Sequence, residues 1–268
     1  MNRFLFLVAA LTSAATSASS DFEVLFSANG HIRSFAYFRQ GPDNLIDTVI
    51  RLENELLRYK TSYLVFQFEN ETDMGEGSQP GMPFDPNRGR WLFALGARTE
   101  LGRQFFEVTL RHDCYHGIDR WLPGEDYKMT SAVVGFGSRG YLQKYRYRDA
   151  AASDGALRFP ARVEYYLAPS LYVPRAGFWQ RSPYLGRLEA NARFDAVQWK
   201  RLGLGVELAN VLYYAASVDV QRSHRLSLQT FLYGESNALI VFFSWWPYDD
   251  QLLRNRAHRT VGGLELSF

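Results

Sequence analysis

From residue 61 to the C-terminus the chain keeps a two-residue rhythm, and that rhythm confines it to extended, two-faced strands. In 103–112, Phe106, Val108 and Leu110 alternate with Glu107, Thr109 and Arg111. In 89–99, Trp91, Phe93, Leu95 and Ala97 oppose Arg90 and Arg98. In 157–168, Phe159, Ala161, Val163, Tyr165 and Leu167 face away from Arg158, Arg162 and Glu164. In 183–195, Tyr184, Gly186, Leu188, Ala190, Ala192 and Phe194 share one face, and Arg187, Glu189, Asn191, Arg193 and Asp195 share the other. Successive strand side chains point to opposite faces, so each segment has an apolar face and a charged one. Soluble sandwiches alternate as well. What separates this chain from them is the repeated placement of Arg and Glu in mid-strand.

About twelve such segments can be marked: 61–70, 89–99, 103–112, 127–136, 141–148, 157–168, 183–195, 202–213, 216–222, 225–233, 238–246 and 259–268. The connections mostly alternate between short and long, as in a barrel that crosses a membrane. Two break the alternation: 169–182 is long where a short turn is expected, and 223–224 is short where a long loop is expected. The mean hydropathy, −0.25, resembles that of a soluble protein. No apolar run reaches the roughly 18 residues a membrane helix needs. A membrane barrel hides its signal, because lipid-facing and lumen-facing residues cancel in any window. Aromatics near strand ends, such as Trp91, Tyr127, Tyr184, Tyr214 and Trp246, fit interfacial girdles. These features predict an all-β transmembrane antiparallel barrel of about twelve strands.

The first 60 residues read differently. Arg3, the apolar run Phe4 to Leu11 and the small residues from Thr12 to Ser20 form a secretory signal, with a cleavage site at Thr16-Ser17-Ala18. Residues 1–18 are therefore expected to be removed. Residues 22–39 look extended, with Asn29-Gly30 as a hairpin turn. In 43–58, Leu45, Ile46, Val49, Ile50, Leu52, Leu56 and Leu57 recur at helical spacing after Asp43 or Asn44 as N-cap. This predicts one amphipathic helix within an N-terminal extension, 19–60, ahead of a barrel domain at 61–268. A strand is the competing reading of that stretch.

At the other end, Leu264, Leu266 and the terminal Phe268 alternate on one face. This resembles the closing strand of Gram-negative outer-membrane barrels, whose terminal aromatic is read by the barrel-assembly machinery. The resemblance implies an outer-membrane location, with outer-membrane lipids and that machinery as partners. Lys and Arg number 30 against 28 Asp and Glu. A net charge of +2 gives no reason to expect nucleic acid. The single cysteine, Cys114, forms no internal disulfide.

Charge on the inner face gathers Arg98, Glu107, Arg111, Arg162, Glu164, Arg187, Glu189, Arg193 and Glu207. In a wide pore such residues stay solvated and select ions. In a narrow barrel, opposite signs pair across the lumen and close it. Gly135 to Gly140 reads as a strand end and turn rather than a phosphate loop, since nothing helical follows.

Chemistry concentrates in Arg111-His112-Asp113-Cys114-Tyr115-His116, at the end of the 103–112 strand that strand counting puts outside the cell. By parity, His112, Cys114 and His116 continue the lipid-facing row of Phe106, Val108 and Leu110, while Arg111 and Asp113 point inward. Three such groups on one face could also bind a metal. The plainest reading is a structured rim in which Arg111, Asp113, Asp119 and Arg120 pair. His112-Asp113-Cys114 is similar to the His-x-Ser pair of outer-membrane phospholipase A and lipid A deacylase, on the outer face of a barrel strand. There the His is the base and the Ser the nucleophile of ester hydrolysis. Here Cys stands for Ser, and Tyr115-His116 replaces the Asn-Gly that tends to follow it.

The expectation is an integral outer-membrane barrel with a structural role, or a narrow small-solute conduit, without cofactor or bound metal. The alternative is a lipid acyl hydrolase with His112, Cys114 and His116 at the outer-leaflet rim.

Overall fold

The computed structural model describes residues 21–41, 44–75, 85–117, 127–142, 156–160, 162–173, 184–215, 220–250 and 256–268. The strands are β1 (Phe22–Gly41), β2 (Asn44–Tyr59), β3 (Ser62–Gly75), β4 (Asp85–Leu101), β5 (Gln104–Gly117), β6 (Tyr127–Ser138), β7 (Leu157–Arg158), β8 (Arg162–Tyr172), β9 (Tyr184–Trp199), β10 (Leu202–Ala215), β11 (Val220–Tyr233), β12 (Ala238–Asp249) and β13 (Thr260–Ser267). A single helical turn, α1 (Arg139–Leu142), follows β6. Every strand pairs antiparallel with its neighbours, and β1 pairs with β13 from His31↔Ser267 to Tyr37↔Val261. The sheet therefore closes into a barrel of twelve strands, with the two-residue β7 laid against the end of β9.

Two-residue turns at 60–61, 102–103 and 200–201 gather at one end of the barrel, together with both ends of the described chain. Each has its first residue in the left-handed region: Lys60 at φ 55°, Gly102 at 65° and Lys200 at 51°. That backbone matches the twist of the flanking strands. The connections 76–84, 118–126, 173–183 and 250–259 lie at the other end, the loop end.

Side chains alternate across the wall as parity requires. Leu110 is 59% exposed on the outside, whereas Glu107 is 1% exposed within. The dry parts of the interior are aromatic. Phe35, Tyr37, Phe242, Trp246 and Val261 pack beside the β1–β13 seam. Tyr115, Met129, Tyr172, Tyr184 and Tyr213 pack at the loop end. Tyr184 and Trp246 thus point into the lumen instead of joining an outer girdle. Tyr214 does face outward.

The helix expected over 43–58 is the strand β2. Its outer residues Ile46, Thr48, Ile50 and Leu52 sit opposite Ala36, Ser34, Ile32 and Gly30. Val49 packs inward against the Phe35 cluster. A bulge between Glu55 and Leu57 then shifts the phase. An inward valine and a slipped register imitate a 3.6-residue period. Asn29-Gly30 is likewise no turn, because β1 runs straight through it. Gly30 is small because a Cβ there would meet the Arg51 carbonyl at 2.4 Å. Residues of the expected extension are thus the first two barrel strands, whereas the signal segment lies outside the described residues.

Two expected strands vanish in exchange. The segment 141–148 begins in α1, and 143–148 lies outside the described residues. The pair 216–222 and 225–233 is one strand, β11. Both anomalies of loop length disappear with the recount. The long 173–183 connection falls at the loop end, and 223–224 lies inside β11.

Closure depends on tight backbone approach at the seam. A Cβ on Gly263 would lie 2.2 Å from the Ser34 carbonyl and 2.6 Å from Phe35 Cβ. Gly263→Val should therefore block the β1–β13 pairing. The folded, fast-migrating band of the unheated protein on a denaturing gel should be lost, while Val261→Ile, a milder change at the same seam, should keep it.

Candidate active site on the outer face of the barrel

β5 continues its outward row from Val108 and Leu110 into His112 and Cys114. These two side chains lie in contact, Cys114 Sγ to His112 Nε2 being 2.8 Å. His112 Nδ1 lies 2.9 Å from Thr130 Oγ1 on β6. Thr130 is the direct cross-strand partner of His112 in an antiparallel ladder, which is why the contact forms. In the arrangement that leaves Nε2 able to take a proton, the thiol donates to Nε2 and Nδ1–H donates to the threonine hydroxyl. If the thiol proton passes to Nε2, the same threonine holds the imidazolium.

The surroundings follow from the register. On β4, Phe93 stands opposite His112 and Trp91 opposite Cys114. The Trp91 ring lies over Gly89, within 2.5–3.0 Å of where a Cβ would be, so a larger residue at 89 would push it. On β6, Lys128 stands opposite Cys114. Asp113 points inward and is 1% exposed. It accepts a hydrogen bond from Arg90 Nη2 at 2.9 Å and pairs with Arg111 Nε at 3.0 Å. Its carboxylate lies on the lumen side and acts on Cys114 through its charge. His116 stands opposite Gly89 by backbone register, and its side chain lies outside the described residues, as do Asp119 and Arg120. For the metal reading, both ring nitrogens of His112 are already engaged, by Cys114 and Thr130.

The inner residues form ion-pair networks. Arg98 bridges Glu53 and Glu107, at 2.7 Å to the latter. Tyr166 donates to Glu107 at 2.8 Å. Arg111 pairs with Asp113 and lies 3.6 Å from Glu189, which Arg187 also meets at 3.2 Å. Arg193 pairs with Asp195 at 3.2 Å and donates to the Gly140 carbonyl of α1 at 3.3 Å. Arg162 pairs with Glu164. Glu207 accepts from Arg225 and, at 2.9 Å, from Gln229. Tyr141 of α1 stacks on Tyr166 with centroids 5.7 Å apart. A cavity of about 250 Å³ remains among Arg33, Arg51, Arg90, Glu189, Arg225 and Glu265.

Sequence reasoning missed one centre. Asp47, Glu71 and Asp73 place carboxylate oxygens within 4.8 Å of one another. Arg256 enters among them, 2.7 Å from Glu71, in contact with Asp47 and 3.7 Å from Asp73. Tyr37 donates to Asp47 at 2.6 Å. Asp47 was hidden inside the expected helix, and Arg256 inside the expected loop 247–258. Thr130 was missed too, since a cross-strand partner needs the register.

No family model and no curated sequence matches the chain. Solved structures do. Outer membrane phospholipase A from Escherichia coli superposes with a TM-score of 0.50 at 11% identity, covering 91% of this chain and 97% of that one. The Salmonella typhi outer membrane phospholipase dimer with bound calcium gives 0.52 at 10% identity, covering 95% and 96%. At such identity the likeness shows the fold alone, a twelve-stranded antiparallel β-barrel like those of the outer membrane phospholipases.

The Arg98 bridge carries a stability consequence. Arg98→Ala leaves two buried carboxylates facing each other without their cation. Removing one partner of a buried pair costs about 3–5 kcal/mol. Urea unfolding in lipid vesicles should show a loss of that size, whereas Arg58→Ala, at a half-exposed pair with Glu23, should change it by about 1 kcal/mol or less.

Proposed function

We propose that this chain is exported by a cleaved N-terminal signal, spans the outer membrane with its loop end outside, and hydrolyses lipid acyl esters at the outer-leaflet rim with Cys114 as nucleophile and His112 as base. The observation that carries this reading is the unbroken contact chain Cys114–His112–Thr130 on the lipid face of β5 and β6. The fold shared with outer-membrane phospholipase A supports it, as the family to which the His-x-Cys spacing is similar. In the assembled membrane the lipids around β5 are both solvent and substrate. Leu264, Leu266 and Phe268 would serve as the segment read by the assembly machinery during insertion.

The chemistry follows from the groups present. Nε2 of His112 takes the Cys114 proton, and the sulfur lone pair forms a bond to the ester carbonyl carbon. The carbon–oxygen ester bond then breaks. The imidazolium returns its proton to the departing lipid alkoxide, leaving a thioester on Cys114. Water, deprotonated by His112, attacks that thioester and releases the fatty acid, with the proton restored to sulfur. Thr130 keeps Nδ1 engaged and the ring oriented throughout. The barrel interior is scaffold in this reading. Its bridged carboxylates and arginines tie strands together, which favours a stabilising interior over a solute conduit.

The test uses the full mature chain, recovered from the outer-membrane fraction and reconstituted with phospholipid or with outer-leaflet glycolipid. Wild type should release fatty acid, and intact mass should show an acyl adduct that Cys114→Ala lacks. His112→Ala should lower release by about 10²–10⁴-fold, the range for a lost acid–base group. Thr130→Val should lower it less. Release that persists in Cys114→Ala would rule the nucleophile out.

A further inference from the structure

We propose that Lys128 supplies the positive charge that stabilises the thiolate formed when the Cys114 proton passes to His112, an assignment that rests on the hydrolase reading above. Lys128 and Cys114 are direct partners in the β5–β6 ladder. Opposed side chains of an antiparallel pair share a face, with Cβ atoms ~4.5–5.5 Å apart. Two residues further along β6, Thr130 stands opposite His112 and hydrogen-bonds it. β6 therefore presents one matching group to each member of the β5 pair: a hydroxyl to the base and an ammonium to the nucleophile. The Lys128 charge acts electrostatically on the Cys114 sulfur, and its side chain is half-buried.

The other charges near the sulfur are accounted for strand by strand. On β5, His112 is the proton acceptor, and Asp113, though turned inward and paired with Arg90 and Arg111, sets a negative charge against the thiolate that Lys128 has to offset. On β4, Trp91 and Phe93 face Cys114 and His112 without charge, and Arg90 lies on the lumen side against Asp113. Among the described residues facing Cys114 from these three strands, Lys128 is the cation on the lipid face. At the membrane border the effective dielectric is below that of water, so a charge on the facing strand is screened less than in bulk solvent. Because the thiolate is the reactive form of cysteine, a cation on the facing strand raises the reactive fraction above what burial and the Asp113 charge alone would leave. Lys128 thus acts through Cys114 and is a positioning residue in charge rather than in shape.

Cys114 is the single cysteine, so alkylation reports it alone. The probe is iodoacetamide, which is uncharged and feels no attraction to Lys128 itself. The full chain in lipid vesicles would be alkylated across pH 6–10, as wild type, Lys128→Gln and Lys128→Arg. Lys128→Gln should slow alkylation at neutral pH by about tenfold and move the profile about one pH unit to the alkaline side, since tenfold corresponds to one unit. Lys128→Arg should restore the wild-type profile and controls for folding. Fatty-acid release by Lys128→Gln should fall in step and recover at higher pH. A Lys128→Gln profile that overlays wild type overturns the assignment, whether or not release falls. Absence of release by wild type overturns the hydrolase reading instead, and the alkylation profile still decides whether Lys128 governs the sulfur.

Discussion

Everything in this molecule depends on the β1–β13 ladder that closes the sheet. In hydrocarbon an unpaired backbone N–H or C=O costs several kcal/mol, so a sheet can cross a membrane only without edges. The last rungs join Gly30, within β1, to Phe268: Gly30 N–H donates to the Phe268 carbonyl at 2.8 Å, and Phe268 N–H donates back at 3.0 Å. Gly263 lets the backbones approach across this seam, and Gly30 makes room for the Arg51 carbonyl of β2 on its other side. The C-terminal aromatic is thus a structural rung as well as a candidate assembly signal.

Once the ring is closed, the inward residues have no water-exposed escape, and their charges must be settled within the lumen. Pairing across strands does this. Arg98 serves two carboxylates, and Arg256 serves a group of three from the loop end. Mixed sign on the inner face is what lets a narrow barrel be densely charged inside. Each arginine also stacks where it can: Arg33 lies 3.8 Å from the Phe242 ring centroid, and Arg256 lies over Phe35 and Trp246. This division of labour leaves the outer wall free to be apolar, and any polar group found there calls for its own explanation.

The sequence revealed these features unevenly, for physical reasons. Alternation from Thr61 onward was plain because both faces are chemically pure there: Phe106, Val108 and Leu110 against Glu107 and Arg111. β2 was opaque because Val49 is an apolar residue on the charged face and a bulge follows it. Ser223-His224 looked like a turn only because two small or polar residues fall in mid-strand. The strand number still came out at twelve, through two omissions and two spurious strands that cancel. For the site, spacing alone put His112 and Cys114 on one face. Thr130 and Lys128 lie on another strand, and only the register of β5 against β6 brings them to the dyad.

A hydrogen-bonded polar pair on the lipid face is not by itself a sign of catalysis, and the barrel contains its own control. His224 on β11 and Asn210 on β10 are also cross-strand partners in outward-facing rows, with His224 Nδ1 2.7 Å from Asn210 Oδ1. Asn210 Nδ2 donates to the Ala190 carbonyl at 3.0 Å, so its oxygen must accept and the imidazole Nδ1 must carry the proton. The strand position is similar to that of His112. Yet the ring neighbours of His224 are Asn210 and Tyr248, with no thiol. Both pairs meet the same physical demand, that a polar side chain facing lipid satisfy its donors locally. Of the two, only the β5 pair sets its remaining ring nitrogen against a thiol, and there Lys128 stands opposite that thiol. The hydrogen bonds explain why the outer wall tolerates both histidines; the sulfur and its counter-charge are what set His112 apart.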